Sequence, residues 1–322
     1  MRFTLDAEQE LFAATLDRML GRADTPAAVR SWADGDRGPG EEIWRALAGA
    51  GLFALAAPES HGGAGPLPVE LVTATIEVGR HAVPGPVAEA VAACLLLGDA
   101  DRVAAIAAGD LVATLAHPPL VPYALDADAA GLVLHLDGGL LHTAAPTRPA
   151  APLRSLDPAR RLWSVRPADP LPLGPLAAAA VPVGVLACAA QALGTGMRLV
   201  ADTVAYARTR HQFGRPIGEF QAVQHRLADA HTALEFARPL LYGAALAVGT
   251  PDERRDVSAA KAAASDAAYA AARTALQVHG AIGYTDEHDV SLWIRKARAL
   301  HTAWGGPVLH RARVLAELRA RR

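Results

Sequence analysis

The apolar positions fall into three stretches with different periods. In the first, residues 1 to about 112, Phe3, Leu11, Phe12, Leu16 and Leu20 recur at near-helical spacing. Ile43, Leu47 and Leu52, then Val69, Val72 and Ile76, mark two further helical segments. Between them, Ala57 to Pro66 concentrates glycine and proline, cannot continue a helix and must turn. From about 113 to 170 the apolar runs shorten: Leu111 to Leu115, Gly131 to Leu136 followed by Asp137-Gly138-Gly139, and Leu162 to Val165. These predict short strands with hairpin punctuation, a reduced sheet not expected to fold alone.

Beyond about 171 the helical period returns. Phe220, Val223, Leu227, Ala230, Leu234, Ala237 and Leu241 keep a three-or-four spacing, one apolar stripe along a helix expected to kink at Pro239. Ser258, Lys261, Ser265 and Arg273 read as the polar face of another helix, built otherwise mainly of alanine. Segments near 176–210, 219–248, 252–279 and 287–318 predict a bundle of four helices. The expected organisation is mainly α: an N-terminal helical domain over 1–112, a reduced middle β segment over 113–170 and a C-terminal helical bundle over 171–322.

Composition narrows the class. The 322 residues suffice for a sizeable core, and 31 basic against 33 acidic residues leave a net charge of −2. No bulk field draws such a chain to nucleic acid or anionic lipid. Lysine stands only at Lys261 and Lys296, asparagine is absent, and alanine and arginine abound, the bias of a GC-rich genome. Cys94 and Cys188 lie far apart, which indicates neither a disulfide framework nor a zinc module and fits a reducing cytoplasm. The first residues lack a signal-peptide pattern. Leu171 to Met197 carries no charge and is long enough to span a bilayer, but Pro172, Pro175 and Pro182 interrupt it and a charged helix follows, so a buried core helix is expected.

Two segments carry candidate chemistry. Ala207 to Gln221 joins two long helices and places Arg208, Arg210 and Arg215, two glutamines and Phe213 around Gly214. A guanidinium grips phosphate oxygens in two-point fashion and an aromatic ring packs on a heterocycle, so the segment suits a dinucleotide. The same residues would equally make a well-capped loop with solvated arginines. The second segment runs Gln277 to Asp289. Gly280 and Gly283 end one helix and allow close backbone approach, while Thr285 or Asp286 is expected to cap the next. His279 and His288 have no third ligand at a sensible spacing, so helix-end structural roles are expected and no metal. Asp286-Glu287 reads as an N-terminal dipole pair.

Taken in order, the Pro58 to Gly65 turn, the Arg-x-x-Phe-Gly-x-Pro-Ile-x-x-Phe-Gln stretch at Arg210 to Gln221, Ala228-Asp229, and Gln277 to Asp289 leading into Leu292-Trp293-Ile294-Arg295-Lys296-Ala297 resemble the acyl-CoA dehydrogenase family. The resemblance covers nearly the whole chain and is strongest from about 184 to 313. It implies an N-terminal helical domain, a middle β domain, a C-terminal four-helix bundle and FAD bound across a subunit interface. Carried over, Arg210, Gln212, Phe213 and Gln221, with Gln277, Gly280 and Ala281, match positions that contact a neighbouring subunit's cofactor.

The sequence departs from the family pattern in two respects. The usual glutamate position holds Gly305, within His301-Thr302-Ala303-Trp304-Gly305-Gly306-Pro307, and the alternative position falls near Gly184 among residues without a carboxylate. The Thr-Glu-Pro-x-x-Gly-Ser-Asp sequence is missing, with Ala113 to Pro119 standing about there. Cofactor positions kept while base and flavin wall are lost imply half of a heteromer, without a catalytic residue of its own. Such a chain is similar to the subunits of heteromeric acyl-CoA dehydrogenases of actinobacterial steroid catabolism. That likeness implies FAD, a bulky acyl-CoA substrate, a homologous subunit bearing the base, and an electron-transfer flavoprotein. The other readings are a stand-alone dehydrogenase with Asp202, Glu235 or Glu287 as relocated base, and a non-catalytic helical scaffold.

Overall fold

The computed structural model describes residues 4–147 and 151–320; Phe3, expected on the first helix, lies outside the described residues. Six helices come first: α1 (Ala7–Arg22), α2 (Thr25–Asp34), α3 (Gly38–Gly49), α4 (Pro68–Arg80), α5 (Val87–Leu96) and α6 (Ala100–Ala108). Asp6 opens α1 by accepting from the backbone N–H of Glu8 and Gln9, and the Gln9 side chain accepts from the Asp6 N–H in return. Leu16 and Leu20 are buried as the pattern requires, but Leu11 is 63% exposed: it stands on the outer side of α1. Ile43, Leu47, Leu52, Val72 and Ile76 all enter the core.

The middle segment holds β1 (Ala113–Ala116), β2 (Ala124–Leu125), β3 (Leu132–Asp137), β4 (Leu140–Pro146), β5 (Leu162–Trp163) and β6 (Val165–Leu171). A four-stranded sheet has the order β1-β3-β4-β6, with β1 parallel to β3, and β2 pairs separately with β5. Gly138 and Gly139, at φ 55° and 79°, turn β3 back into β4, the expected hairpin. β6 carries Pro167 and Pro170 and lies at the sheet edge, where a residue without an N–H is tolerated.

The rest comprises α7 (Ala177–Thr209), a hairpin of β7 (His211–Gln212) and β8 (Arg215–Pro216), α8 (Gln221–Ala247), α9 (Glu253–His279), α10 (Val290–Thr302) and α11 (Pro307–Ala320). α7 is long and apolar enough to cross a membrane, and it runs buried through the centre, packed against α4, α5, α8, α9 and α10. Glycines set how closely α4 and α7 cross. A Cβ added at Gly79 would fall 2.0 Å from the Gln191 carbonyl, and one at Gly194 would fall 1.9 Å from that of Ile76. α8 runs through Pro239 without interruption and buries Ala230, Leu234, Ala237 and Leu241.

Two sequence expectations need correction here. The fourth long helix is two helices, α10 and α11, separated by a corner at Ala303 to Gly306. Ser258, Lys261 and Ser265 form no outer face: all three are buried in α9, and only Arg273 is exposed. Lys261 is accommodated because Nζ donates to Ser265 Oγ at 2.8 Å and to the Leu300 carbonyl at 2.9 Å. Burial pushes its amine below the ordinary lysine range. The other lysine, Lys296, is also buried, with Nζ 3.5 Å from Asp157 Oδ2 and donating to the Val83 carbonyl at 3.3 Å.

Candidate functional site

The hairpin after α7 is built by its own sequence. Arg210 caps α7, its N–H donating to Tyr206 O at 2.9 Å and its carbonyl accepting from Ile217 N–H at 2.8 Å. Phe213 and Gly214 turn the chain at φ 53° and 80°. Phe213 is 92% exposed and meets Phe220 edge-on at 6.1 Å, while the Arg215 guanidinium lies 4.2 Å over the Phe220 ring. Arg215 is therefore engaged in packing. Arg210, Gln212 and Gln221 stay exposed, and Arg210 has no ion-pair partner among the described residues.

The second segment reaches the same end of the bundle. Tyr206, one turn before Arg210, stacks on His279 at 4.2 Å, two residues beyond Gln277. Gln277, Gly280 and Ala281 line a cavity of about 900 Å³ together with Arg226, Arg273 and Tyr284. Arg210, Gln212, Phe213 and Gln221 are not among its lining residues; they stand on the neighbouring hairpin and at the start of α8. Gly280 adopts φ 63°, and nothing lies within 4 Å of where its Cβ would be, so its backbone is open to a ligand. Arg226 and Arg273 have no ion-pair partner among the described residues. Two guanidinium groups lining one cavity with no carboxylate among its lining residues give it a positive surface. Sequence reasoning missed Arg226 and placed Arg273 on a solvated face. The usable signal was the spacing of four between Arg273 and Gln277, which puts both on one side of α9.

The histidines have structural roles. Buried His279 donates through Nδ1 to the Ala275 carbonyl at 2.8 Å, and His288 Nδ1 accepts from Val290 N–H at 3.2 Å. The expected cap is displaced: α10 starts at Val290, Thr285 Oγ1 donates to Ile282 O, and Asp286 pairs with Arg295 at 2.5 Å. Among the described residues, Asp17, Glu77 and His81 come close enough together to consider for a metal. Asp17 and the His81 ring share a hydrogen bond at 2.8 Å, and Glu77, which burial pushes up to about 7, lies 3.5 Å from Arg80.

The two positions examined for a base converge on one side chain. A Cβ added at Gly184 would fall 2.4 Å from Trp304 Cη2, so the indole fills the space beside α7. Gly305 follows Trp304 at φ 90°, and its added Cβ would sit 2.8 Å from both His310 Nε2 and Leu120 Cδ1. Trp304 is itself left-handed at φ 56°, a strained conformation for a bulky residue. Two hydrogen bonds hold it: its Nε1 donates to Glu89 Oε1 at 3.0 Å, and its carbonyl accepts from His310 Nε2 at 2.9 Å. Burial pushes the Glu89 carboxyl up from its ordinary value and the His310 ring down to about 4, so the His310 ring is neutral at pH 7. Glu89 is a carboxylate that sequence reasoning did not single out, because it comes from α5, far away in the chain. Of the three carboxylates considered as relocated bases, Asp202 pairs with Arg198 and Glu235 with Arg238, each at 2.8 Å. None of the three lines the arginine cavity or the space beside Trp304.

Comparison with known proteins places this architecture. Residues 6–99 match the model of the acyl-CoA dehydrogenase N-terminal domain and residues 175–318 that of the C-terminal domain. Acyl-CoA dehydrogenase IpdE2 of Mycobacterium tuberculosis is 35% identical over 296 residues, covering 90% of this chain and 91% of its own. The ChsE4–ChsE5 complex of Mycobacterium tuberculosis contains a chain that superimposes with a TM-score of 0.83 at 25% identity, covering 99% of each chain. A variant of the Tcur3481–Tcur3483 steroid acyl-CoA dehydrogenase gives a TM-score of 0.84 at 23% identity, covering 98% of this chain and 99% of that one. By sequence likeness along nearly its full length and by fold, the chain belongs to the acyl-CoA dehydrogenase family.

Proposed function

We propose that this chain is one subunit of a heteromeric, FAD-dependent acyl-CoA dehydrogenase of the cytoplasm, lending cofactor contacts while a homologous partner subunit brings the catalytic base. The carrying observation is a contrast within one chain. The cavity at the end of α9 keeps unpaired Arg226 and Arg273 beside Gln277 and Gly280, while both base positions are glycines packed on or beside Trp304. The residues present fit a dinucleotide: guanidinium groups for the diphosphate, amides for its oxygens and base edges, and an open glycine turn. The exposed Phe213 completes the set as an aromatic surface.

In this reading Arg210, Gln212, Phe213 and Gln221 grip the cofactor from the hairpin side, and Gln277, Gly280 and Ala281 from the end of α9. When bound, FAD supplies the hydride acceptor for oxidation of an acyl thioester between its α and β carbons. This chain's residues bind and orient it; the α proton goes to the partner's base. The solved relatives support the choice of heteromer and substrate class, one being a complex of two proteins and the other a steroid enzyme. The substrate is accordingly a bulky, steroid-derived acyl-CoA, and the electrons leave to an electron-transfer flavoprotein.

The test mixes the purified chain with its partner subunit and follows flavin absorption and turnover with an artificial electron acceptor. A yellow complex that loses its flavin band on Arg210→Ala, with no turnover by the isolated chain, is the expected outcome. Full activity from this chain alone overturns the heteromer, and a stable colourless complex makes the chain a scaffold.

A further inference from the structure

Three ionisable side chains meet where α1 packs on the end of α4. Glu77 and His81 stand four apart, which puts both on one side of α4, and Asp17 faces them from α1. One oxygen of each carboxylate and a ring nitrogen of His81 lie within 4.8 Å of one another. The frame that carries them is fixed from behind. The Gly79 carbonyl accepts from Thr195 Oγ1 at 3.2 Å, and the Arg80 carbonyl accepts from Trp293 Nε1 at 2.9 Å.

Glu77 is the member that folding leaves short of partners. It is 5% exposed and its Oε2 accepts no hydrogen bond, since the Arg80 Nε stands 3.5 Å away, beyond ordinary hydrogen-bonding reach. Burial pushes its carboxyl up to about 7, with Arg80 pulling the other way and the Asp17 charge adding to the rise. Arg198 and Arg238, the other guanidinium groups beside the cluster, are taken by Asp202 and Glu235 at 2.8 Å each. Among the described residues Arg80 is thus left to answer two carboxylates. A divalent cation there satisfies the buried oxygen and offsets the second charge.

Two carboxylates and an imidazole are a donor set for a first-row transition ion, whereas Mg²⁺ and Ca²⁺ call for oxygen alone. Zinc bonds of about 2.0–2.2 Å set ligand atoms roughly 3.4 Å apart in a tetrahedron, within small side-chain rotations of the spread found here. Asp17, 46% exposed, has the freedom to make them. A cavity of about 420 Å³, lined by Glu77 with Glu10 and Tyr242, gives the ion and a water a way in.

We propose that Asp17, Glu77 and His81 form a three-ligand seat for Zn²⁺, with water in the fourth position, that staples α1 to α4. The staple matters because Leu16 and Leu20 are the only fully buried anchors of α1 among the described residues. None of the three ligands lines the arginine cavity at the end of α9, so the ion's role is structural.

The full chain, stripped with a chelator and dialysed, is titrated with ZnCl₂ by calorimetry and with CoCl₂ while its visible absorption is followed. One Zn²⁺ binds per chain with a Kd of about 1 μM or below, undisturbed by about a hundredfold excess of Mg²⁺, and raises the Tm. Co²⁺ gives the intense visible bands of a four-coordinate ion. Asp17→Asn, Glu77→Gln and His81→Gln each weaken zinc about tenfold or more. Should a substitution at buried Glu77 or His81 prevent folding, Asp17→Asn at its half-exposed position still decides. No saturable binding below about 100 μM, or zinc affinity indifferent to Asp17→Asn, overturns the proposal.

Discussion

The open cavity at the end of α9 and the closed corner at Trp304 draw on the same bundle yet resolve their polar groups in opposite ways. At the corner the Trp304 N–H and carbonyl are both hydrogen-bonded and the indole is buried against Gly184. At the end of α9, Arg226 and Arg273 face a cavity with no carboxylate to answer them. A group that folding leaves unsatisfied points to something outside the chain; a fully satisfied one points inward, to stability. The contrast separates a corner closed by its own hydrogen bonds from a cavity whose guanidinium groups meet no carboxylate among its lining residues.

The largest effect is expected at the corner. Trp304→Ala removes a buried indole and the N–H that Glu89 accepts, and should cost about 3–5 kcal/mol in denaturant unfolding. Gly184→Ala should cost about 1–3 kcal/mol in the native background and far less when combined with Trp304→Ala, since the added methyl then has room. Additive costs in that double-mutant cycle would break the claim that the indole closes the space.

A smaller effect follows from His310, whose ring is held down at about 4 in the folded chain against 6.5 unfolded. A depressed histidine binds fewer protons folded than unfolded, so its contribution is complete above about pH 6.5 and lost as the pH falls towards 4. Its size is on the order of 3 kcal/mol. His310→Gln should flatten unfolding free energy against pH in that window; an unchanged slope would place the acid sensitivity elsewhere.

At the open cavity stability should barely respond. Arg226→Ala and Arg273→Ala each change unfolding free energy by less than about 0.5 kcal/mol, because neither is buried or paired. Each should weaken flavin binding to the complex by about tenfold, measured by flavin fluorescence, as expected for a lost charge-assisted hydrogen bond. Smallest of all is Phe213→Ala, neutral for folding of the isolated chain given the exposure of the ring. A marked loss of stability there would show that the hairpin belongs to the core.

Much of the architecture is legible in spacing. The stripe Ala230, Leu234, Ala237 and Leu241 identifies the buried side of α8 because its neighbours are polar. α9 offers no such contrast: with alanine on every side, Ser258, Lys261 and Ser265 looked like an outer face and prove to be its interior. The break between α10 and α11 was written as Gly305-Gly306-Pro307, a stop signal that a long helical period concealed. In the site, contiguous motifs could be read directly, since Arg210 to Gln221 carries its own turn chemistry. Arg226 and Glu89 could not, because what makes them matter is the residues they meet from other helices, whereas Arg273 was readable only through its spacing of four from Gln277 on α9.

The burial of Lys261 and Lys296 has a practical consequence. With every lysine of the chain inside the core, amine-directed reagents find no side-chain target on the native surface. Acylating labels and amine cross-linkers should therefore mark these two positions only as the bundle opens, turning covalent labelling of Lys261 into a clock for unfolding of α9.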